Sequence, residues 1–521
     1  MATNTRLLTS RRSLAVICTI LFLTFLDNTV VSVILSNIQS NLSAGVQDLQ
    51  WIVDAYMLVF AVFMLAGGTL GDLFGRKKVL LSGVALFTIG SVVAMLANSI
   101  GVLIAGRVIM GIGAAASEPG TLSMIRHLYP KKGPRSRALG IWAAVSGVAL
   151  AFGPIIGGII IGFSSWRGVF VFSAVFGAVA FIAGLRFLPE SSDPKGRKLD
   201  VAGLVVGGMA ISEVIIALIS GESAGYHSWW IILLLVLSLV TAVAFVLIER
   251  RTKDPVLPLE FFKKIQFSIA NIVAFTTNFG IFAVFFFVAL YLQLIANFSG
   301  YQIALSFLAM TAAIVASSLL AGRWNAVHQT TLLTIAGCLL SGGGIFIINA
   351  ILSPQVSSAT LAWTLAISGV GFGISLVTMT STVLNTVPPE RSGMAASTVN
   401  TSRELGGVFG VAILGAIVNA QLTSQLAGQL KALNLPANFQ SFVIYAITHG
   451  GNTPKGVSVS PTILASHAQL VNQVTQAAYH AFGSGLTIAL NLAGTMLIAT
   501  GIICGVVYLQ SRQNVSVRAR Y

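Results

Sequence analysis

Apolar residues along this chain come in long runs separated by short polar breaks, near 13–36, 51–70, 79–97, 102–125, 139–162, 168–187, 201–220 and 229–248. After a basic stretch the runs resume near 268–289, 302–321, 330–351, 360–385, 394–419 and 483–509. Each approaches the roughly 20 apolar residues that a helix needs to cross a bilayer, so the pattern predicts about 14 transmembrane helices. The short alternating segments of a membrane β-barrel are not seen. The expected fold class is an all-α membrane protein of two six-helix bundles with a two-helix insert. Residues 1–200 form the N-terminal bundle, 201–250 the insert and 251–521 the C-terminal bundle. A large outer loop lies at about 421–480, rich in Gln, Asn, Ser and Gly. Its flanks, 421–431 and 463–479, are expected to form short amphipathic helices, and the loop itself reads as a lid or spacer.

Composition sharpens this picture. Of 521 residues, 55% are hydrophobic and 9% charged, against about 25% charged in ordinary soluble domains. The net charge of +15 is too dilute for a nucleic-acid binder. Topology explains it instead, because 25 of the 30 lysines and arginines fall in alternate loops and at the two ends. By the positive-inside rule both termini are then cytoplasmic, in a multi-pass protein of the cell inner membrane. The first run keeps Asp27 in its middle and has no small-residue cleavage site after it, so it reads as a permanent helix. Cys18, Cys338 and Cys504 all lie in apolar runs and read as packing residues.

Several chemistries are excluded. No Gly-Lys dipeptide occurs, hence no phosphate-binding loop of an ATP-driven pump. The six histidines are scattered without metal-ligand spacing. The chain is not expected to be an enzyme or to carry a metal or cofactor.

Charges inside the runs are few, and each is a functional candidate, because an ionisable group in hydrocarbon is costly unless it faces a cavity or a partner. Asp27 lies mid-span with no counter-charge nearby in sequence, and Arg107 is its expected distant partner. Asp54 lies near the outer end of the second run. Arg107 and Glu118, eleven residues apart, share one helix face about 16 Å apart. Glu118 precedes Pro119, which frees a backbone carbonyl at a polar point. Arg403 and Glu404 project about 100° apart, so they are expected to serve different partners, with Glu404 toward the cavity and Arg403 in a structural pair. Gly406 and Gly410 on the same helix suit close helix contact. Glu213 is assigned to the insert. A carboxyl that burial makes able to take up a proton is what a proton-coupled carrier needs, and a fixed ion pair is the alternative.

Between the second and third runs stands Gly67-Gly68-Thr69-Leu70-Gly71-Asp72-Leu73-Phe74-Gly75-Arg76-Lys77-Lys78. Asp72 is suited to bonding the N-terminus of a neighbouring helix, and Arg76 to clamping a facing carboxylate. The fifth run carries Gly147 and then Gly153-Pro154-Ile155-Ile156-Gly157-Gly158, in which Gly147, Pro154 and Gly157 or Gly158 recur near one face, a smooth and bendable surface. The loop resembles the signature loop of the major facilitator superfamily, where it latches the two halves in the outward-facing state. The Gly147 to Gly158 run resembles the motif that marks its antiporters. Arg107-Val108-Ile109-Met110-Gly111-Ile112-Gly113-Ala114 is similar to the fourth-helix motif whose arginine is tied to proton transfer, and Leu26 to Val31 to the first-helix motif of drug:proton antiporters. With Trp166-Arg167, Leu199-Asp200, Tyr291-Leu292-Gln293 and Arg403 to Gly407, the likeness is to the 14-spanner drug:proton antiporters of that superfamily. Glu118 and Glu404 depart from that family's usual apolar residue and glutamine.

The resemblance implies a proton-coupled antiporter that exports lipophilic, cationic drugs or toxic compounds by alternating access. Its energy source would be the proton gradient. Proton coupling falls to Asp27, Arg107, Glu118 and Glu404, and the substrate cavity to Asp27, Asp54, Glu118, Phe282, Phe286, Tyr291, Gln293 and Glu404. Gly71, Asp72, Gly75, Arg76 and Lys77 form the gate, and Gly147, Gly153, Pro154 and Gly157 the antiporter kink. Expected partners are the lipid bilayer, small substrates and protons, with periplasmic export proteins a further candidate and no nucleic acid. An exporter of an endogenous lipid, siderophore or metabolite would use the same scaffold. A non-transporting sensor would leave the buried carboxylates without a role.

Overall fold

The computed structural model describes residues 2–42, 44, 46–192, 200–257, 259–296, 298, 300–326, 330–432 and 468–518. Residues 433–467 of the predicted outer loop, and the side chain of Pro154, lie outside the described residues. Among the described residues the chain is all helical, without strands. The helices of the first half are α1 (Ala2–Leu42), α2 (Val46–Phe74), α3 (Arg76–Met95), α4 (Ile100–Leu128), α5 (Lys132–Phe163) and α6 (Arg167–Phe187). Then follow α7 (Val201–Ala224), α8 (Trp229–Arg251), α9 (Ile265–Phe282), α10 (Ala289–Leu294), α11 (Gly300–Asn325), α12 (Thr330–Ile351), α13 (Ser358–Thr386) and α14 (Ser392–Ala432). The last is α15 (Ala468–Arg518). Among the described residues thirteen helices are long and apolar enough to cross a membrane. The run expected at 139–162 lies within the 32-residue α5.

Local chemistry sets several boundaries. Ser99, Asp200 and Ser357 cap α4, α7 and α13 by accepting from the backbone N–H three residues on. Gly75, at φ +111°, breaks the chain between α2 and α3, a conformation that glycine adopts without a Cβ penalty. Pro388 and Pro389 separate α13 from α14.

One expectation needs correction. Among the described residues the flanks of the outer loop are not separate short helices: α14 runs unbroken to Ala432, and 468–479 are part of α15. The stretch after 419 has no proline and is rich in Gln, Leu and Ala, so the spanning helix has no reason to stop at the apolar edge. The run at 268–289 is present as one span, Ile265–Gln293, though not as a uniform α-helix. Residues Ala283–Val288 form a π-helical turn that joins α9 to α10 in one span.

Helices α1 to α6 pack on one another, as do α9 to α15, and α7 pairs with α8. The halves meet through α5 against α11 and through α14 against α2 and α4, while α7 rests on α2 and α14. Glycines make these crossings tight. A Cβ on Gly140 of α5 would fall 2.7 Å from the Ser318 carbonyl, and one on Gly322 of α11 would fall 2.7 Å from that of Ser136. On α8, Leu239, Val240 and Val243 are all more than half exposed, an apolar outer face suited to lipid.

Candidate functional site

Pro119 in α4 has no N–H, so the Ala115 carbonyl loses its helical partner. Gly67 of α2 approaches this carbonyl so closely that a Cβ there would overlap it. Helices α2 and α4 are thus in close contact at this point, and Glu118 beside it is fully buried.

Two arginines organise a charged seam along α4. Arg107, 1% exposed, pairs with Asp27 of α1. Its Nε donates to the Ile52 carbonyl at 2.9 Å, and its guanidinium lies 4.4 Å from the Tyr56 ring centroid. The Tyr56 hydroxyl in turn donates to the Thr24 carbonyl of α1 at 3.3 Å. Some three turns further along α4, Glu118 is paired at 2.5 Å with Arg403 of α14, an ion pair between the two halves of the chain. Arg403 also lies 4.9 Å from the centroid of Phe25 and 5.6 Å from that of Trp142. Trp142 Nε1 donates to Thr121 Oγ1, which donates to the Glu118 carbonyl. Asn278 of α9 donates to the Arg403 carbonyl at 3.0 Å.

The Asp27–Arg107 pairing expected from the sequence is therefore present. The expectation that Arg403 and Glu404 serve different partners is not met, since they lie 3.5 Å apart. An arginine stem is long enough to swing its fork over the neighbouring turn, and Glu118 draws it to the side where Glu404 can also reach.

A small cavity of about 20 Å³, close to the size of one water molecule, adjoins Arg403. Phe25, Gly147, Asn278, Ile281 and Phe285 help to wall it. Of the residues assigned to a substrate cavity from the sequence, Asp27, Asp54, Glu118, Phe282, Phe286, Tyr291, Gln293 and Glu404 are not on these walls. Phe282 packs against α14 near Gly407, and Tyr291 is buried. Gln293 is exposed, and Phe286 is 51% exposed with its ring edge-on to Phe287. The π-turn shifts the phase of the helix here and puts Phe285, rather than its neighbour, toward the interior. Asp54 is half-buried on α2. Glu213 belongs to the insert pair, accepting from Thr241 of α8 at 2.7 Å. Phe25, Tyr56, Trp142 and Asn278 were missed because, one at a time, they are unremarkable residues of apolar runs.

The residues expected to form the gate lie at the basic end. Asp72 Oδ2 accepts from Met394 N–H in the first turn of α14, the helix N-terminus the sequence anticipates. Arg76 does not clamp a facing carboxylate. It bonds Asp72 itself, four residues away, at 2.9 and 3.0 Å, and reaches across to the Pro389 carbonyl at 2.9 Å. The facing segment offers backbone carbonyls, and the non-helical turn at Gly75 between α2 and α3 already brings Arg76 against Asp72. Gly71 and Gly75 are buried, and Lys77 donates to the Leu185 carbonyl of α6. Arg126 donates to the Val387 carbonyl at 2.7 Å, and Arg135 to Asn385. In the kink region a Cβ on Gly153 would overlap Thr29 of α1, while Gly157 is buried.

Apolar helices around a charged interior seam, with the two halves joined at one end, define a membrane transporter. The chain belongs to the Major Facilitator Superfamily, whose family model matches residues 17–411. It is 30% identical over 486 residues to the Multidrug resistance protein Stp of Mycobacterium tuberculosis (strain CDC 1551 / Oshkosh), covering 93% of this chain and 89% of that protein. It is 32% identical to the Methylenomycin A resistance protein of Bacillus subtilis (strain 168), over 76% of this chain and 85% of that protein. Among solved structures, the proton:xylose symporter XylE aligns with a TM-score of 0.55 at 14% identity, over 92% of this chain and 94% of that one. Human MFSD10 aligns with a TM-score of 0.59, also at 14% identity, over 78% of this chain and 93% of that one. These two likenesses concern the fold.

Proposed function

We propose that this transporter is a proton-coupled antiporter that exports lipophilic cations, drugs among them, across the inner membrane. The observation that carries the reading is the charge balance of the buried seam. Three carboxylates, Asp27, Glu118 and Glu404, stand against two guanidiniums, Arg107 and Arg403. With all five ionised, one negative charge remains, and in a low-dielectric interior it favours a cation or a proton. The resistance proteins that the chain resembles over most of its length support export of toxic compounds.

In this mechanism Asp27 exchanges a proton with its pairing to Arg107. When Asp27 is neutral, Arg107 keeps an acceptor oxygen of Asp27 together with the Ile52 carbonyl and the Tyr56 face, so the arginine stays satisfied while the charge at Asp27 changes. With the basic end in the cytoplasm, the latch at Asp72 and Arg76 closes the inner side. Proton entry from outside then precedes its opening. The motif between Gly147 and Gly157 allows α5 to slide against α11 as the halves rock.

The test is proton release from vesicles containing the purified protein, loaded with acid and challenged with candidate compounds. Addition of a lipophilic cation should collapse the pH gradient in vesicles of the parent protein. No release with any cation, at protein levels verified by immunoblot, refutes the proposal.

A further inference from the structure

We infer that the guanidinium of Arg403 is a resident surrogate for substrate, occupying an organic-cation cage that a positively charged compound takes over by expelling it. The cage deepens the export reading and takes its physiological meaning from it, but its geometry stands independently. The guanidinium lies near two aromatic rings, Phe25 and Trp142, and two carboxylates, Glu118 at 2.5 Å and Glu404 at 3.5 Å. Aromatic faces combined with carboxylates are the chemistry that holds quaternary ammonium and other delocalised cations. Phe25, Glu118 and Trp142 come from α1, α4 and α5 of the first half, and the arginine is inserted into them from α14 of the second. The indole hydrogen bond to Thr121 fixes one wall.

Two features make the arginine displaceable. Its pairing is incomplete, because Arg403 Nε and Glu118 Oε2 are both buried without a hydrogen-bond partner. Its side chain also walls the cavity of about 20 Å³ beside Phe285 and Asn278, so withdrawal of the guanidinium enlarges a space that already adjoins the cage. A compound with a compact cationic head and an apolar body would place the head on the carboxylates and the body between Phe25 and Phe285.

The experiment is calorimetric titration of the purified full-length protein in detergent with benzyltrimethylammonium, at one pH and without a gradient. Arg403→Met keeps the bulk of the stem and removes the competing charge. It should bind the probe at least tenfold more tightly than the parent. Adding Glu118→Gln should cancel the gain, and methylguanidinium should compete for the Arg403→Met site. Should Arg403→Met fail to accumulate, Trp142→Leu carries the test. It keeps every charge and should weaken the probe at least tenfold. Unchanged or weaker binding by folded Arg403→Met, or unchanged binding by Trp142→Leu, overturns the cage. Normal cation-driven proton release in vesicles alongside such a result refutes the cage alone. Tighter binding by Arg403→Met without any proton release upholds the cage and refutes the transport reading.

Discussion

Asp27 has one carboxylate oxygen on Arg107 and the other buried without a partner, so its neighbourhood accommodates a proton without new groups having to move in. Asp27→Asn keeps an oxygen for Arg107 and removes the titration. Cation-driven proton release should fall to the level of protein-free vesicles while the amount of protein inserted stays parental, and release at the parental rate would reassign the proton to another carboxyl. Asp27→Ala instead strands a buried guanidinium, which costs about 3–5 kcal/mol. Its melting temperature should drop clearly below that of Asp27→Asn in a thermal unfolding assay. Glu118→Gln and Glu404→Gln should lower export of a cationic dye while sparing a neutral one; equal loss of both dyes points to a structural role. Asp27 and Arg107 were legible because Asp27 is the one charge in its apolar run and Arg107 the one basic group in another. The Glu118–Arg403 pair was not, since it joins positions 285 apart and no local periodicity reports on contacts at that distance. Phe25 and Trp142 give no signal of their own in a chain with 31 Phe and 7 Trp.

At the scale of elements, hydropathy locates the spans well because bilayer thickness fixes their length. It locates their ends poorly, as α14 and α15 demonstrate, because a helix emerging from the membrane continues for as long as its residues favour it. The π-turn at Ala283–Val288 was also illegible. Its Ala-Val-Phe-Phe-Phe-Val sequence has neither glycine nor proline and carries no local signal for a widened turn. The crossing of α5 and α11 provides the test of element packing. Gly140→Leu should force the helices apart at the Ser318 carbonyl and at Gly322. Size-exclusion profiles should show loss of monodisperse protein, whereas Gly158→Leu on the same helix, where a Cβ meets nothing within 4 Å, should leave the profile unchanged. Equal profiles for both variants would remove the crossing from the determinants of the fold.

For the molecule as a whole, the charge pattern of the sequence anticipated a specialised basic end, and Asp72 was correctly matched to a helix N-terminus. The partner of Arg76 was misread because carbonyls in an irregular segment carry no sequence signature. Asp72→Asn weakens the charge on Met394 N–H and the clamp from Arg76, so the basic end should open more often. A cysteine at Ser397, which is buried beside Gly68, reports this in a background lacking Cys18, Cys338 and Cys504. Its alkylation should be several-fold faster in the Asp72→Asn protein, and equal rates would discount the latch. What Arg76 and Arg126 grip on the far half is main chain, the carbonyls of Pro389 and Val387, and what Asp72 grips is an amide. A fastening of this kind is indifferent to the side chains it holds. Over evolutionary time the second half is free to change its residues at 387, 389 and 394 while the first keeps Asp72, Arg76 and Arg126, and these three contacts would leave no trace as correlated substitutions.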